Sequence, residues 1–342
     1  MIKTAVVILN WNGKKYLEQF LPHIINHSKE PDTEIIIADN NSTDDSIKFL
    51  EKNYPEIKII RLDKNYGFAG GYNRALQKIK AEYYILLNSD IEVTKNWLPP
   101  LVELMESDEN IAACQPKIKA FHQKDFFEYA GAAGGFIDKY GYPFCRGRIL
   151  DAVEKDTGQY NNIRQIFWAT GACLVIKANL FHQLGGFDDD FFAHMEEIDL
   201  CWRLKNKGFK IVVQPKSEVY HVGGGTLPVS PFKLYLNYRN NLYLLYKNLP
   251  KHRLSSTLII RMILDGLSAL IYLFKFSFKN FIAVFKAHIH FYQSLKILRA
   301  KRRALQSTIT KEKHREMFKG SIVLNYFFRQ KKIFSQIKEL NR

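Results

Sequence analysis

Tyr84-Ile85-Leu86-Leu87-Asn88-Ser89-Asp90 is an apolar run that stops abruptly in three polar residues, the last a carboxylate. A continuous hydrophobic segment of this kind predicts a strand buried on both faces, as in a parallel sheet covered by helices. Ligands of open α/β sheets bind outside the carboxyl ends of such strands. Asp90 therefore lies where chemistry is expected. A carboxylate there can hold Mg²⁺ or Mn²⁺, which takes one or two protein carboxylates and completes its shell with diphosphate oxygens. Asn, Ser and Asp also serve as turn and N-cap residues, so the triplet alone leaves both readings open.

The chain before this stretch alternates strand and helix. Ala5 to Leu9 reads as a strand, Lys14 to Asn26 as a helix burying Tyr16, Phe20, Leu21 and Ile24, and Glu34 to Ala38 as a second strand. Asp44 is placed to cap a helix running to about Asn53, Ile57 to Leu62 is a third strand, and Gly70 to Lys80 is helical. This alternation predicts a mostly parallel, doubly wound sheet. Each strand ends in polar residues, and right-handed crossovers bring all these ends to one edge. Asp39, closing an Ile-Ile-Ile-Ala strand, is positioned to accept a hydrogen bond from a nucleobase or a ribose hydroxyl. The glycine-rich Asn65-Tyr66-Gly67-Phe68-Ala69-Gly70-Gly71-Tyr72-Asn73-Arg74 then opens a helix whose free N–H groups suit a phosphate. It is neither GxGxxG nor GxxxxGK[ST], so a dinucleotide fold and a P-loop are both unsupported.

At 342 residues the chain accommodates one large α/β domain with an extension, or two domains. A hydrophobic content of 46% marks a globular protein, and the net charge of +16 points to an anionic partner: nucleic acid, membrane or phosphate-bearing substrate. Cys114, Cys145, Cys173 and Cys201 are widely spaced and form no CxxC, which predicts buried thiols and no disulfide. The N-terminal apolar stretch is too short for a signal peptide, so a cytoplasmic protein is expected.

Ala5-Val6-Val7-Ile8-Leu9-Asn10-Trp11-Asn12-Gly13, Ala38-Asp39-Asn40-Asn41-Ser42-Thr43-Asp44, the Asn65 to Asn73 segment and Leu86 to Asp90, in this order, resemble the family 2 inverting glycosyltransferases of GT-A fold, in particular the rhamnosyltransferase-like branch. The resemblance covers about the first two-thirds of the chain. It implies a nucleotide-sugar donor over the first half, with Asp39 reading base or ribose, Asn10, Asn65, Gly67, Asn73 and Asn88 along the donor, and Asp90 ligating a divalent metal. Asn88-Ser89-Asp90 stands where many members have Asp-x-Asp, so metal binding carries over to Asp90 alone. The domain would span 1–230, divided into a nucleotide-sugar half at 1–115 and an acceptor and catalytic half at 116–230.

After a helix from Asn96 to Ser107 and a strand from Ile111 to Gln115, residues 116–167 show no long period and read as hairpins and loops over the acceptor side. Arg146, Arg148 and Arg164 are read as solvated surface residues, with phosphate contact the alternative. Leu184-Gly185-Gly186-Phe187-Asp188 and Phe191 to Arg203 form the next informative block: a glycine turn, then acids opening a helix that ends near Gly208. Acids in a first turn are favoured by the helix dipole, which suffices to explain Glu196, Glu197 and Asp199. The same block resembles the family's Gly-Gly-Phe-Asp and Glu-Asp-x-Asp-Leu segments. By that likeness Glu197, where the family has Asp, is the base, Glu196 is a lesser candidate, and Asp199 pairs locally with Arg203. His221, after a strand and before Gly223-Gly224-Gly225, is either structural or, matching the family's late histidine, a second metal ligand. The glycines would form a loop closing over the diphosphate.

Such chemistry needs a base for the acceptor hydroxyl and a cation for the departing diphosphate, without an enzyme nucleophile. No GxSxG suggests acyl transfer. Beyond Pro231 the chain becomes helical and basic. Leu258 to Phe274 is strongly apolar but interrupted by Arg261 and Asp265, and residues 275–311 contain no acid. Phe281, Phe285, Ile289 and Tyr292 mark an apolar helix face. An aromatic, cationic helix of this kind reads as an interfacial anchor on anionic lipid, at the inner face of the cell membrane, with a solvated helix as the alternative. No nucleic-acid motif accompanies the charge. The expectation is therefore a metal-dependent glycosyltransferase of hexosyltransferase type acting on a saccharide or lipid-linked saccharide of surface polysaccharide, with a 231–342 extension. A catalytically silent GT-A-like assembly module is the alternative.

Overall fold

The apolar stretch that ends at Asn88 lies inside a mixed sheet, with three strands between it and the nearer edge. A computed structural model describes residues 2–223, 230–337 and 340. In chain order it begins β1 (Ile2–Asn10), α1 (Lys14–His27), β2 (Thr33–Asp39), α2 (Ser46–Asn53), β3 (Lys58–Arg61), α3 (Gly67–Leu76) and β4 (Ala81–Asn88). There follow β5 (Ile91–Val93), α4 (Pro99–Ser107) and β6 (Ile111–Ala120), then the short β7 (Gly135–Asp138), β8 (Pro143–Cys145), β9 (Arg148–Ile149) and β10 (Ala152–Val153). The chain returns through β11 (Arg164–Gln165), β12 (Cys173–Lys177), α5 (Ala178–Gln183), α6 (Glu196–Asn206) and β13 (Lys210–His221). Four helices come next, α7 (Pro231–Asn248), α8 (Lys251–Phe274), α9 (Phe278–Gln293) and α10 (Leu295–Gln306), before β14 (Met317–Phe318) and α11 (Ile322–Phe327).

Among the described residues the main sheet runs β11-β13-β6-β12-β4-β1-β2-β3, with β5 pairing β13. β1, β2, β3 and β4 are mutually parallel where they pair, and β12 is antiparallel to both β4 and β6. Successive β1 side chains point to opposite faces, so Val6 and Ile8 pack with Leu17, Phe20 and Trp97, while Ala5 and Val7 pack with Tyr72 and Leu86. Both faces are covered, which is why the strands read as unbroken apolar runs. Register sets Asn10 beside Asp39 and Leu9 beside Asn88, bringing these polar strand ends to one edge.

Element boundaries shift where tertiary bonds decide them. α3 starts at Gly67 and not Gly70 because the Phe192 carbonyl, far along the chain, accepts from Phe68 N at 2.7 Å and Ala69 N at 3.1 Å. β6 continues past Pro116 to Ala120, since the register with β13 breaks between Gln214 and Glu218 and the ladder tolerates the missing donor. Residues 116–167 do form hairpins, as a small sheet β10-β9-β8-β7. Arg146 and Arg148 are buried in it, contrary to their reading as solvated surface: Arg146 donates to the carbonyls of Tyr160 and Asn162, and Arg148 to that of Tyr129. The four cysteines are free and buried, as anticipated.

The described residues after 230 are bound to the 116–230 part of the chain. β14 adds to the small sheet in parallel with β7, the Phe334 ring sits among Phe136, Phe144 and Tyr160, and Phe334 N donates to Glu154 Oε1. α8 is long and apolar enough to cross a membrane by length and composition, with only 28% of its most apolar window buried. Arg261 and Asp265 do not interrupt its exposed face. They are buried and paired at 2.7 Å, with the guanidinium over the Tyr142 ring. In α9 it is Ala283, Val284, Ala287 and Phe291 that face inward, while Phe285, Ile289 and Tyr292 of the expected apolar face point out. Breaking the buried pair by Arg261→Ala is expected to cost about 3 kcal/mol in urea unfolding, because it removes the guanidinium from buried Asp265 and leaves it to His288; Arg261→Met with Asp265→Leu should recover most of that loss.

Candidate active site

The ends of β1 and β2 are tied by side chains. Buried Asn10 donates from Nδ2 to Asp39 Oδ1 at 3.1 Å and to Ser42 Oγ at 3.1 Å, and Ser42 N donates to Asp39 Oδ2 at 3.0 Å. Asn12 adopts φ 51°, and its Oδ1 accepts from Thr43 N at 2.7 Å and Asp44 N at 3.2 Å. The N-cap of α2 is Asp45, without a side-chain cap bond, and not Asp44 as expected; Asp44, one residue earlier, accepts from Ser46 N and from Lys14 N at the start of α1. Asn40 is the residue that sequence reading left without a role. Its amide donates to Asn65 Oδ1 at 3.0 Å and the Gly67 carbonyl at 2.9 Å, and its Oδ1 accepts from Tyr66 N at 3.0 Å. Asn65 in turn accepts from Gly67 N at 2.8 Å. The glycine-rich turn is thus shaped by two asparagines, and Gly67, at φ 70°, leaves no room for a Cβ against the Phe192 ring. Asn73 faces a different neighbour: it bonds Phe187 through both its amide and its carbonyl, fastening α3 to the Gly-Gly-Phe-Asp turn.

At the end of β4, buried Asp90 meets His221 of β13. The antiparallel β5–β13 pairing sets His221 opposite Ile91, and Val222 N donates to the Asp90 carbonyl at 3.1 Å. His221 Nε2 lies 3.2 Å from Asp90 Oδ1, and its Nδ1 lies 3.4 Å from Glu128 Oε1. Burial alone would lower the imidazole pKa, but Glu128 and Asp90 outweigh it and raise it to about 10. Two ligands adjacent on an octahedron with legs of 2.0–2.1 Å stand roughly 3.0 Å apart, so this separation fits one Mg²⁺ or Mn²⁺ bound by both residues. Among the described residues no group of three or more His, Cys, Asp or Glu forms a complete metal cage. That suits an ion whose remaining ligands are water and phosphate oxygens. Glu128, buried within the region that had no readable period, is placed to fix the ring as a carboxylate behind a ligating histidine does. Gly224 and Gly225, expected to close over the diphosphate, lie outside the described residues.

Glu196 and Glu197 open α6, behind a backbone with three left-handed residues, Phe192, His194 and Met195, at φ 62°, 69° and 73°. Burial raises both carboxyls. Glu196, further raised by the charge of Glu197, lies well above the usual range; Glu197, moderated by backbone N–H groups of its own turn, is pushed up to about 7. The Lys233 ammonium, in the first turn of α7, acts electrostatically on His194 on one side and responds to Glu128 on the other.

α7 holds that loop. Asn240 Nδ2 donates to the carbonyls of Phe191, Ala193 and His194 at 2.8–2.9 Å, and Arg239 to those of Asp190 and Phe191. Asp199 pairs with Arg203 at 2.8 Å, as expected, and also with Lys247 at 2.9 Å. Burial would raise its pKa, but Lys247 and Arg203 hold it below the usual carboxylate value. A cavity of about 800 Å³ opens behind the Gly185–Asp189 turn, lined by Arg74, Arg203, Lys247 and Lys301. These cations are spent on Asp188, Asp189 and Asp199, and neither the strand-end acids nor Glu197 line the cavity.

A mostly parallel α/β sheet with acids and a histidine gathered at its strand ends defines a glycosyltransferase of GT-A fold. Residues 5–180 match the family described as glycosyl transferase family 2, and the chain belongs to that family. The N-acetylglucosaminyl-diphospho-decaprenol L-rhamnosyltransferase of Mycobacterium tuberculosis is 25% identical over 234 residues, covering 63% of this chain and 75% of its own length. The low-salt glycan biosynthesis hexosyltransferase Agl10 of Haloferax volcanii is 23% identical over 246 residues, covering 69% of this chain and 73% of its own. Among solved structures, S. aureus TarS with UDP-GlcNAc aligns at a TM-score of 0.56 and 15% identity over 97% of this chain and 93% of that one. GalNAc-T7 with UDP, GalNAc and Mn²⁺ aligns at 0.57 and 19% identity, over 72% of this chain and 48% of that one.

Asn240→Ala is expected to lower stability by about 1–3 kcal/mol, since the Ala193 and His194 carbonyls lose this donor, while that of Phe191 keeps Arg239. Hydrogen exchange should show the loss as faster opening confined to residues 189–200.

Proposed function

We propose that this family 2 enzyme moves a sugar from a nucleoside diphosphate donor to a hydroxyl of a lipid-linked saccharide, with inversion, Glu197 acting as base. Asp90 and His221 would hold Mn²⁺ or Mg²⁺, which when bound offsets charge on the departing diphosphate. The observation that carries this reading is the 3.2 Å Asp90–His221 pair at the sheet edge, backed by Glu128. Asp39, fixed by Asn10 and Ser42, presents its carboxylate at the end of β2, where base or ribose would lie. The N–H groups that open α3, expected to be free for phosphate, are taken by Asn40, Asn65 and the Phe192 carbonyl, so this turn would shape the border of the donor site rather than bind the diphosphate through them. A carboxyl with a pKa near neutrality suits a base that takes a proton from a hydroxyl and later releases it. Rhamnose is the sugar this reading favours, because the Mycobacterium relative is named a rhamnosyltransferase acting on a diphospho-decaprenol substrate.

A thermal-shift panel of UDP, dTDP, GDP and CDP, with and without Mn²⁺, tests the donor site. One nucleotide at about 100 times its Kd should add roughly 2.7 kcal/mol of stability only with metal. No shift with any nucleotide would favour the silent assembly module, which Asn88 in place of an acid already suggests. Glu197→Gln should keep that shift while lowering kcat by at least about 100-fold. In the wild type, kcat should rise with pH along an acid limb centred near 7, because Glu197 must lose its proton to act. Glu128→Gln is expected to weaken Mn²⁺ binding by about 10–100-fold, read by electron paramagnetic resonance, without loss of fold.

A further inference from the structure

The structure leaves one large apolar surface uncovered. On α8, Ile259, Ile263, Leu267, Ile271 and Phe274 recur along one side and are exposed. On α9, Phe278, Ile282, Phe285, Ile289 and Tyr292 recur at spacings of four, three, four and three and are exposed as well. Both helices turn their opposite, buried sides inward: Arg261 of α8 stacks over Tyr142, and Phe291 of α9 packs on Tyr243 and Tyr246 of α7. The turn that joins them is the most exposed part, with Phe274 at 78% and Phe276 at 80%. Monomeric soluble proteins rarely expose contiguous apolar surface on this scale.

We infer that the α8–α9 hairpin is a wedge that inserts into one leaflet of an anionic bilayer, with the Phe274–Phe278 turn deepest. Charge selects this occupant. No acidic residue occurs between 266 and 311, while Lys275, Lys279, Lys286, Lys296 and Arg299 are exposed. A second copy seated on the same face by two-fold symmetry would set these cations against one another, whereas anionic headgroups complement them. Spanning is excluded by packing: the Arg261–Asp265 pair is locked against the domain, and His288 of α9 reaches Asp265 at 3.3 Å. The helices therefore lie in the interface, apolar sides down and cationic side chains at headgroup level. α7 touches both the hairpin and the acid-bearing loop, Tyr243 packing on Phe291 and Phe191 and Asn240 clamping the loop, so the bilayer and that loop would share one support. This inference deepens the proposed function by placing the enzyme peripherally, on the inner face of the cell membrane, beside a lipid-linked acceptor.

The test is flotation of the full chain with vesicles of pure phosphatidylcholine and with vesicles containing about one-third phosphatidylglycerol. The wild type should float with the anionic vesicles. Phe274→Glu with Phe276→Glu and Phe278→Glu should cut the partition coefficient on the order of 100-fold. Lys275→Glu with Lys279→Glu should cut it by about fivefold per residue and leave a salt-insensitive remainder. All these positions are exposed, so the nucleotide-dependent thermal shift should persist in every variant, which separates failed docking from a failed donor site. Three results would overturn the inference: a wild type that stays unbound, tip variants that float like the wild type, or a solution dimer that the tip variants convert to monomer.

Discussion

Three carbonyl oxygens, those of Phe191, Ala193 and His194, converge on the single amide of Asn240. The backbone they belong to twists through left-handed conformations that ordinary residues seldom adopt, and a loop of that shape persists only when its surroundings over-determine it. The surroundings do so from several directions. Phe192 caps α3 from one side, Asn73 binds the turn before it, and Lys247 and Lys301 neutralise Asp188. The loop's exit sets the start of α6 and its Phe192 carbonyl holds the start of α3, while Lys247 fixes α6 further along through Asp199.

The sheet supplies the other half of the site. Strands buried on both faces can place charge only at their ends, and parallel connection gathers those ends together. Asn10, Asp39, Asn88 and Asp90 share an edge for that reason. The carboxylates gathered there and in the α6 loop would repel one another, which explains the cations and amides threaded between them. Asp39 is held by neutral donors, Asp90 stands against the His221 ring, and Asp199 is paired with Lys247 and Arg203.

Much of this was legible in the sequence, for a physical reason. An apolar strand that stops in Asn or Asp declares its own carboxyl end, so the edge carrying Asp39 and Asp90 could be read from local pattern. Acids opening a helix after a Gly-Gly turn likewise drew attention to Glu196 and Glu197. Glu128 could not be found that way, because it lies among strands of two to four residues in which neither the helical nor the strand period can be counted. Asn240 and Lys247 look like ordinary polar residues of an amphipathic helix, and their roles rest on contacts 46 to 59 residues away. Arg146 was misread because nothing local distinguishes an arginine that satisfies buried carbonyls from one in solvent. In α9 apolar residues occur on more than one side, so the pattern showed an apolar helix without showing which side meets the protein.

The central claim is that one sheet edge holds both the diphosphate and a divalent ion. Anomalous scattering from a crystal grown with Mn²⁺ and the nucleoside diphosphate that binds examines it most directly. The account predicts a single manganese peak beside Asp90 and His221, next to the bound diphosphate. A peak elsewhere, or a diphosphate bound away from the ends of β2 and β4, would contradict it.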